Sequence, residues 1–161
     1  MDIYNFVGNK FVNGLYSLIN KFITFKVVLL NKNAKMPVKA DSGCAGYDIF
    51  SCESFILFSG KRQLVSTGIS TEFSKDFYLR VAPRSGMSVK GIDVGAGVID
   101  SSYRGEIKVL LINNSDINQQ FKIGDKIAQV ILERCSNTII LETDILSETE
   151  RGYGGFGSTG N

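Results

Sequence analysis

The feature that most limits what this chain can fold into is a series of short apolar or alternating runs that begins after Phe25. Gly, Ser, Asn and Asp residues separate the runs, and no long helical pattern alternates with them. Such strands are typical of all-β sandwiches and barrels, whereas a doubly wound parallel sheet needs helices between its strands. The predicted strands are Lys26–Leu30, Tyr47–Ser51, Gln63–Thr67, Phe77–Val81, Glu106–Asn113, Ile127–Leu132 and Thr138–Leu141.

The chain divides into three parts. Its 161 residues suit one domain with a core, which we place at residues 25–150, followed by a glycine-rich segment at 151–161. Residues 1–24 form an N-terminal extension in which apolar residues recur near helical spacing, as at Val7, Phe11 and Leu15. This pattern predicts an amphipathic helix. Docking on the domain, or a poorly ordered extension, is favoured over a membrane-surface or targeting role.

Composition narrows the possible functions. The net charge of +2 is too small for electrostatic nucleic-acid binding, and no apolar run reaches the length of a membrane span. No histidine is present, so carboxylates are the natural general bases. The three cysteines lack metal-site spacing and fit a reducing compartment. We therefore expect a cytoplasmic or nuclear protein, acting in the host cell if the source is viral.

The C-terminal segment RGYGGFGSTG combines glycines with groups that suit a nucleotide. Glycine lets a backbone approach a ligand closely, and successive N–H groups can bind an anion. Arg151, Ser158 and Thr159 add donors for phosphate, and Phe156 adds a ring that can stack on a base. The segment is therefore interpreted as a phosphate-binding lid. A flexible terminus without a binding role is the alternative.

Four further segments carry candidate polar groups. In VAPRSGMSV, Arg84, Ser85 and Gly86 follow a proline that ends a strand and offer a phosphate contact; an ordinary connection is the alternative. In GAGVIDSSYRGEI, Asp100 follows an apolar pair and is a candidate general base, or an aspartate that caps its own turn. AGYDIF contains Asp48, a cation ligand or a turn residue. GDKIAQV places Gln129 in a strand.

In this order, the five segments closely resemble the five motifs of the trimeric dUTPase family (deoxyuridine 5'-triphosphate nucleotidohydrolases). The resemblance extends from about Lys26 to Gly160 and leaves out the N-terminal extension. The run VKGIDVGAGVID is most similar to the versions in eukaryotes and large DNA viruses. The resemblance of the five motifs implies a β jelly-roll barrel that assembles as a homotrimer with a glycine-rich C-terminal arm. It also implies hydrolysis of dUTP to dUMP and pyrophosphate with Mg²⁺.

The resemblance further implies active sites shared between subunits, and it assigns roles by position. The first, second and fourth motifs come from one subunit, the third from another and the fifth from a third. Asp100 is expected to activate the attacking water, Gln129 to lie near the α-phosphate, and Asp48 to hold hydrated Mg²⁺ through water. The expected substrate-binding residues are Arg84, Ser85, Gly86, Gly97, Val98, Ile99, Tyr103, Arg151, Phe156, Gly157, Ser158 and Thr159.

Selectivity is expected to come from the third motif. By similarity, the backbone from Gly97 through Ile99 reads the edge of uracil and leaves no space for the 5-methyl group of thymine. Tyr103 is expected to pack under the deoxyribose. Lys126 stands where arginine is common in the family, which would weaken a bidentate contact.

Three other functions remain open at this point. Relatives that share the fold deaminate dCTP, but the third motif here is of the hydrolase type. A trimer that binds nucleotide without hydrolysing it would show degenerate catalytic positions. RNA binding by the tail is disfavoured because the sequence lacks a basic face. We expect no stable nucleic-acid partner, and no membrane partner apart from a role of residues 1–24.

Overall fold

The computed structural model describes residues 25–136 and 138–154, and within them the chain is built almost entirely of strands. This confirms the predicted all-β class. In the described part no helix is long and apolar enough to cross a bilayer. The elements are β1 (Lys26–Leu29), β2 (Tyr47–Phe50), β3 (Phe55–Leu57), β4 (Arg62–Ser66), β5 (Ile69–Glu72), β6 (Phe77–Ala82), α1 (Ser85–Ser88), β7 (Ile92–Gly95), β8 (Val98–Ile99), β9 (Lys108–Asn113), β10 (Gln119–Phe121) and β11 (Lys126–Arg134).

Antiparallel pairing organises these strands into four small sheets. The largest has the order β2-β11-β6-β8, and a three-stranded sheet has the order β4-β9-β7. β1 pairs with β5, and β3 pairs with β10. β11 lies between β2 and β6 and, at nine residues, is the longest strand in the described part of the chain. Three regions that are far apart in sequence therefore meet along one strand.

The core lies between the sheets and follows the alternation of each strand. On β9, Val109 and Leu111 are buried while their neighbours are more exposed. They pack in one cluster with residues of the other sheets, such as Val65 and Leu79, which are also fully buried. Burial of a side chain of this size contributes about 1.5–3 kcal/mol. Inward-facing residues from distant segments thus hold the sheets together.

A polar residue also lies in the core, and all of its hydrogen-bonding groups have partners. Asn113 is fully buried at the end of β9. Its side-chain amide donates to the carbonyl oxygens of Leu57 (3.0 Å) and Ile117 (2.8 Å), and its amide oxygen accepts the backbone N–H of Ser115 at 3.0 Å. A buried amide with its bonds made avoids the desolvation penalty of an unpaired group. Asn113 thereby ties β9 to β3 and to the turn before β10.

The outer face of the four-stranded sheet is polar. The Tyr78 hydroxyl donates to Glu133, and Arg80 Nε lies 2.6 Å from the second oxygen of the same carboxylate. The hydrogen bond from Tyr78, followed by that from Arg80, lowers the pKa of Glu133, while Glu133 raises the pKa of Tyr78. The stability that Glu133 gains from these bonds is therefore present above its unfolded-state pKa and is lost as the pH falls through its folded-state pKa.

Six of the seven predicted strands are present, with ends shifted by up to two residues. The prediction for Thr138–Leu141 is wrong, because these residues are exposed and belong to no strand. Although these residues are largely apolar, they do not pair with any sheet of their own chain in the described part of the structure. Five strands were not predicted, and all are four residues or shorter: β3, β5, β7, β8 and β10.

Candidate active site

Polar residues of the first, second and fourth motifs meet at one end of the largest sheet. On β11, Gln129 pairs with Asp48 of β2 on one side and with Ala82 of β6 on the other. Pro83 follows β6 and cannot donate to a further ladder bond, so the strand stops there. Arg84 comes next and directly precedes α1. The register of three strands thus places the predicted phosphate-binding and metal-binding residues side by side.

Two cations hold the carboxylate of Asp48. Its Oδ1 lies 2.8 Å from Nε of Arg84, and its Oδ2 lies 2.8 Å from Nζ of Lys126. The Asp48 side chain is 14% exposed, against 33% for Arg84 and 39% for Lys126. The carboxylate is therefore the inner member of the group, and the cations face outward. One negative and two positive charges leave a net positive surface that suits an anion.

Arg84 keeps donors for a ligand. Its Nη1 donates to the backbone carbonyl of Lys126 at 3.4 Å, in addition to the contact of Nε with Asp48. A guanidinium has five N–H groups. Among the described residues the Arg84 guanidinium makes only these two hydrogen bonds. Most of its N–H groups therefore remain available for phosphate oxygens.

The side chain of Gln129 is fixed by its neighbours on both sides. Its Nε2 donates to the carbonyl oxygen of Pro83 at 3.0 Å. On the opposite side lies Gly46, where an added Cβ would collide with the Gln129 amide oxygen. Glycine at position 46 is therefore required for this orientation of the amide.

The loop before β2 is shaped by an aspartate. Asp41 accepts the backbone N–H of Gly43 at 2.7 Å, and the Cys44 thiol donates to its other oxygen at 3.3 Å. These bonds, that from Cys44 first, lower the pKa of Asp41. The loop that leads to Gly46 and Asp48 thus closes on an ionised carboxylate.

A cleft of about 570 Å³ opens beside the cations. Arg84, Lys90 and Lys126 line it, with Asp125 as the one acidic residue in the lining. Gly86 also borders the cleft, and a Cβ built at this position has no atom within 4 Å. Its backbone is therefore open to close approach by a ligand.

The third motif forms a hairpin beside β6. Ala96 and Gly97 have φ values of 59° and 119°, and Gly97 accepts the N–H of Val81 at 2.7 Å. A Cβ on Gly97 would lie 2.5 Å from the Val81 carbonyl oxygen, so only glycine fits here. β8 follows as the edge strand of the sheet. Among the described residues no strand pairs with its outer side, which leaves backbone donors and acceptors for a ligand.

A second cleft, of about 300 Å³, lies next to this hairpin. Val98 forms part of its apolar wall and is 67% exposed, and the carboxylate of Asp100 stands beside it. The Tyr103 hydroxyl donates to the carbonyl of Glu106 at 3.0 Å, which leaves the ring as a face of the cleft. The lining residues are Leu64, Val98, Ile99, Asp100, Tyr103, Glu106 and Lys108.

Within one chain the two clefts belong to opposite ends of β6. Ile99 pairs with Leu79, so Asp100 follows near the start of β6, whereas Arg84 follows its end. A strand rises about 3.3 Å per residue, which separates Asp100 from Arg84 by roughly 20 Å. The structure thus brings Asp48, Arg84 and Gln129 together and holds Asp100 apart from them.

The fifth motif is described only in its first residues. Arg151 is exposed, and its Nε donates to the carbonyl oxygen of Gly154 at 2.8 Å. The segment before it is exposed too, with Ile140 at 93%. The predicted residues Phe156, Gly157, Ser158 and Thr159 lie outside the described part of the chain, as does the predicted helix within residues 1–24.

Sequence reasoning assigned no role in the site to Lys90 or Gly46, and it noted Lys126 only because arginine is common at this position in the family. Lys126 follows a Gly-Asp turn at the start of a strand, within the fourth motif. Gly46 lies within the first motif, AGYDIF, and Lys90 directly follows the second, VAPRSGMSV, so their places in these motifs were the available signals.

The all-β fold, the cations around Asp48 and the apolar cleft beside Asp100 suit a protein that binds a nucleotide. The dUTPase family profile matches residues 32–160. The chain belongs to the dUTPase family. The deoxyuridine 5'-triphosphate nucleotidohydrolase of cowpox virus is 48% identical over 127 residues, covering 79% of this chain and 86% of that protein. That of Candida albicans is 49% identical over 140 residues, covering 85% of this chain and 88% of that protein.

Solved structures agree with this assignment. A variant of the Staphylococcus bacteriophage 80alpha dUTPase with dUpNHpp superposes with a TM-score of 0.81 at 26% identity, covering 86% of this chain and 99% of that chain. A dUTPase variant from phage phi11 of S. aureus, whose structure concerns a structural Mg(II) ion, shares the fold with a TM-score of 0.73 at 24% identity, covering 78% and 99%. The predicted dUTPase-like jelly roll is thereby confirmed.

Proposed function

We propose that this chain hydrolyses dUTP to dUMP and pyrophosphate, which limits uracil incorporation into DNA and supplies dUMP for dTMP synthesis. The observation that carries the proposal is the grouping of Asp48, Arg84 and Gln129 at one end of a sheet, in a chain of the dUTPase family. The dUpNHpp held by the bacteriophage 80alpha enzyme supports a nucleotide of this kind as the ligand.

The active site is completed by other copies of the chain, in a homotrimer. The separation of roughly 20 Å between Asp100 and Arg84 prevents one chain from serving both ends of a bound nucleotide. The exposed apolar side chains of Val98, Ile140 and Leu146 support contacts with neighbouring copies, because burial of such groups favours association. In this arrangement the third motif of one subunit faces the first, second and fourth motifs of another.

The cationic end of the sheet binds the triphosphate. Arg84 offers N–H groups and Lys126 a point charge, while Ser85 offers a hydroxyl and Gly86 lets the phosphates approach the backbone. The fifth motif of a third subunit then covers the terminal phosphate with Arg151, Ser158 and Thr159. In the same segment, Phe156 stacks on uracil and Gly157 keeps the backbone close to the ligand.

Asp100 is the general base of the reaction. Its carboxylate takes a proton from a water molecule whose oxygen forms a bond to the α-phosphorus, and the bond from that phosphorus to the pyrophosphate oxygen breaks. Gln129 orients the water and the α-phosphate with the amide that Pro83 and Gly46 hold in place. Since phosphoryl transfer needs little covalent help, the rate depends mainly on positioning and charge neutralisation.

Base selectivity comes from the free edge of β8. The backbone at Gly97, Val98 and Ile99 offers donors and an acceptor that match the edge of uracil. Cytosine carries an amino group where uracil has a carbonyl, which would leave a buried polar pair unmatched. By similarity to the family, the tight hairpin at Ala96 and Gly97 leaves no room for the methyl group of thymine. Tyr103 packs under the deoxyribose and disfavours a ribose.

The residues present fit Mg²⁺ that arrives with the nucleotide. Among the described residues no cluster of three acidic or cysteine side chains forms a metal cage. Mg²⁺ usually keeps several waters and is bound by one or two carboxylates and substrate phosphates. Asp48, with both oxygens already paired, suits a contact through water rather than direct ligation. Bound Mg²⁺ would neutralise part of the triphosphate charge.

The place of action is a reducing compartment, the cytoplasm or the nucleus, of a host cell if the source is viral. The three cysteines, Cys44, Cys52 and Cys135, are all free thiols in the structure, which supports this location.

The proposed reaction is tested by pyrophosphate release from dUTP, dCTP, dTTP and UTP, with Mg²⁺ and with EDTA. We expect release from dUTP alone, and its loss in EDTA. Deamination of dCTP would instead favour the related deaminases that share this fold. Binding of dUTP without hydrolysis would favour a nucleotide-binding module and would overturn the proposed activity.

Replacing Gly86 with alanine tests the phosphate path. Because the added methyl meets no protein atom within 4 Å, the fold is unaffected, and alanine favours the helix by up to about 1 kcal/mol. A phosphate packed over this backbone would be displaced, so we expect kcat/KM for dUTP to fall about 10²-fold with an unchanged or higher Tm. Val89→Ala is the control, since this side chain is 90% exposed and does not line the cleft. Full activity of Gly86→Ala would show that the phosphates of dUTP do not pack over the Gly86 backbone.

A further inference from the structure

The segment between β8 and β9 carries both Asp100 and Tyr103, yet it forms no strand. Its internal bonds close it into a compact turn. The Tyr103 N–H donates to the Asp100 carbonyl at 3.1 Å, and Nη1 of Arg104 donates to the Ser101 carbonyl at 2.7 Å. The base and the aromatic ring are therefore linked through one short stretch of backbone.

This turn is anchored from outside by Gly68, in the connection between β4 and β5, and by the first two residues of β5. The Gly68 N–H donates to Oε1 of Glu106 at 2.8 Å, and the Ser70 hydroxyl donates to the Arg104 carbonyl at 2.8 Å. The Ile107 N–H also donates to the Ile69 carbonyl at 2.8 Å. Side chains thus bridge two segments that are more than 30 residues apart in the chain.

The anchoring connection is itself rigid. Gly68 has a φ of +70°, a Cβ there would lie 2.6 Å from Nδ2 of Asn31, and its carbonyl accepts the Leu30 N–H at 2.8 Å. Thr67 is buried, and its hydroxyl donates to the Ile107 carbonyl. A connection held in this way can fix the turn that rests on it.

Glu106 joins both sets of contacts. Its carboxylate accepts from Gly68, its backbone carbonyl accepts the Tyr103 hydroxyl at 3.0 Å, and its side chain lines the smaller cleft. The negative charge of Glu106 contributes little to stability, because its ion-pair partner, Nζ of Lys108, lies 3.7 Å away and both side chains are partly exposed. The acceptor oxygen, rather than the charge, is the feature that matters at this position.

We propose that Glu106 and Ser70 are positioning residues for dUTP hydrolysis, which fix Asp100 and Tyr103 by tying their turn to the β4–β5 connection and to the start of β5. The inference rests on the function proposed above. A misplacement of about 1 Å in a reacting group costs about 10²-fold in rate. Loosening the turn should therefore lower kcat through Asp100 and weaken discrimination against ribose through Tyr103.

The test compares Glu106→Ala with Glu106→Gln and with a matched control. Glutamine keeps an oxygen that accepts the Gly68 N–H, so Glu106→Gln should stay within about threefold of wild type in kcat/KM. Glu106→Ala should lose about 10–100-fold, mostly in kcat, and its preference for dUTP over UTP should narrow. Ser70→Ala should shift both quantities in the same direction by a smaller factor.

Glu53→Ala is the control because Glu53 accepts the Ser66 N–H at 2.9 Å at the other end of the same connection. It removes a bond of the same kind without touching the turn, so kcat/KM should be unchanged. A fully active Glu106→Ala, or equal losses in Glu106→Ala and Glu106→Gln, would overturn the positioning role alone. Wild-type protein inactive toward dUTP would overturn the proposed function, and the positioning role with it.

Discussion

Replacing Asp100 with asparagine should lower kcat for dUTP about 10³-fold while leaving nucleotide affinity within a few fold. The amide has the shape of the carboxylate but cannot take a proton from water, and general-base catalysis of this kind contributes about 10²–10⁴-fold. The smaller cleft keeps its apolar wall, since Val98 and Ile99 are untouched. Single-turnover kinetics with dUTP and calorimetric titration with dUpNHpp would separate the two quantities.

Asp93→Asn is the control for this experiment. Asp93 is an exposed aspartate of β7 whose carboxylate accepts the Val94 N–H at 2.7 Å and lines neither cleft. The control should retain full turnover. Turnover of Asp100→Asn at the wild-type rate would remove Asp100 from the role of general base.

Deleting residues 151–161 should reduce kcat/KM for dUTP by about 10³-fold without unfolding the protein. Arg151 is the cation of this segment and would neutralise charge on the leaving pyrophosphate. An arginine that stabilises transition-state charge in phosphoryl transfer contributes about 10³–10⁵-fold. The stretch from Thr138 to Gly154 lies outside every strand and is largely exposed, so its last residues contribute little to the core. Thermal unfolding and sedimentation of the truncated chain should match those of the wild type.

Arg151→Ala tests the same point with a smaller change and should account for most of the loss. The exposed Arg62 at the start of β4 offers a control of equal chemistry, because Arg62→Ala leaves both clefts intact. If the truncated chain were active, residues 151–161 would not act as a lid over the active site. If it were monomeric, the segment would be needed to hold the assembly together.

The longer strands could be predicted from the sequence because their side chains alternate or form long apolar runs. β6 and β11 belong to this group, and both are recognisable without knowledge of their partners. The strands that were not predicted have four residues or fewer, and their pairing with a neighbouring strand is not visible in the sequence. β1 and β2 are as short, but they lie within apolar or alternating runs that extend beyond the strand itself. Thr138–Leu141 shows the converse, since its apolar residues have no partner strand in their own chain.

The sequence named candidate residues for the site but could not show their arrangement. The order of the five motifs identified Asp48, Arg84 and Gln129, which the structure places together. No sequence pattern could show that Asp100 lies at the other end of β6, because this depends on the pairing of Ile99 with Leu79. The space at Gly46 and the acceptor on Glu106 likewise depend on contacts between segments distant in the chain.

The cleft beside Arg84 and the cleft beside Asp100 lie at opposite ends of β6, and each supplies one half of an active site. This arrangement has a consequence for genetic complementation. In a trimer with shared active sites, a mutation at Asp100 and a mutation at Arg84 inactivate different halves of each site. When both alleles are expressed in one cell, mixed trimers form sites in which the two intact halves meet. Two null alleles at opposite ends of this strand would therefore complement each other, whereas two null alleles at the same end would not.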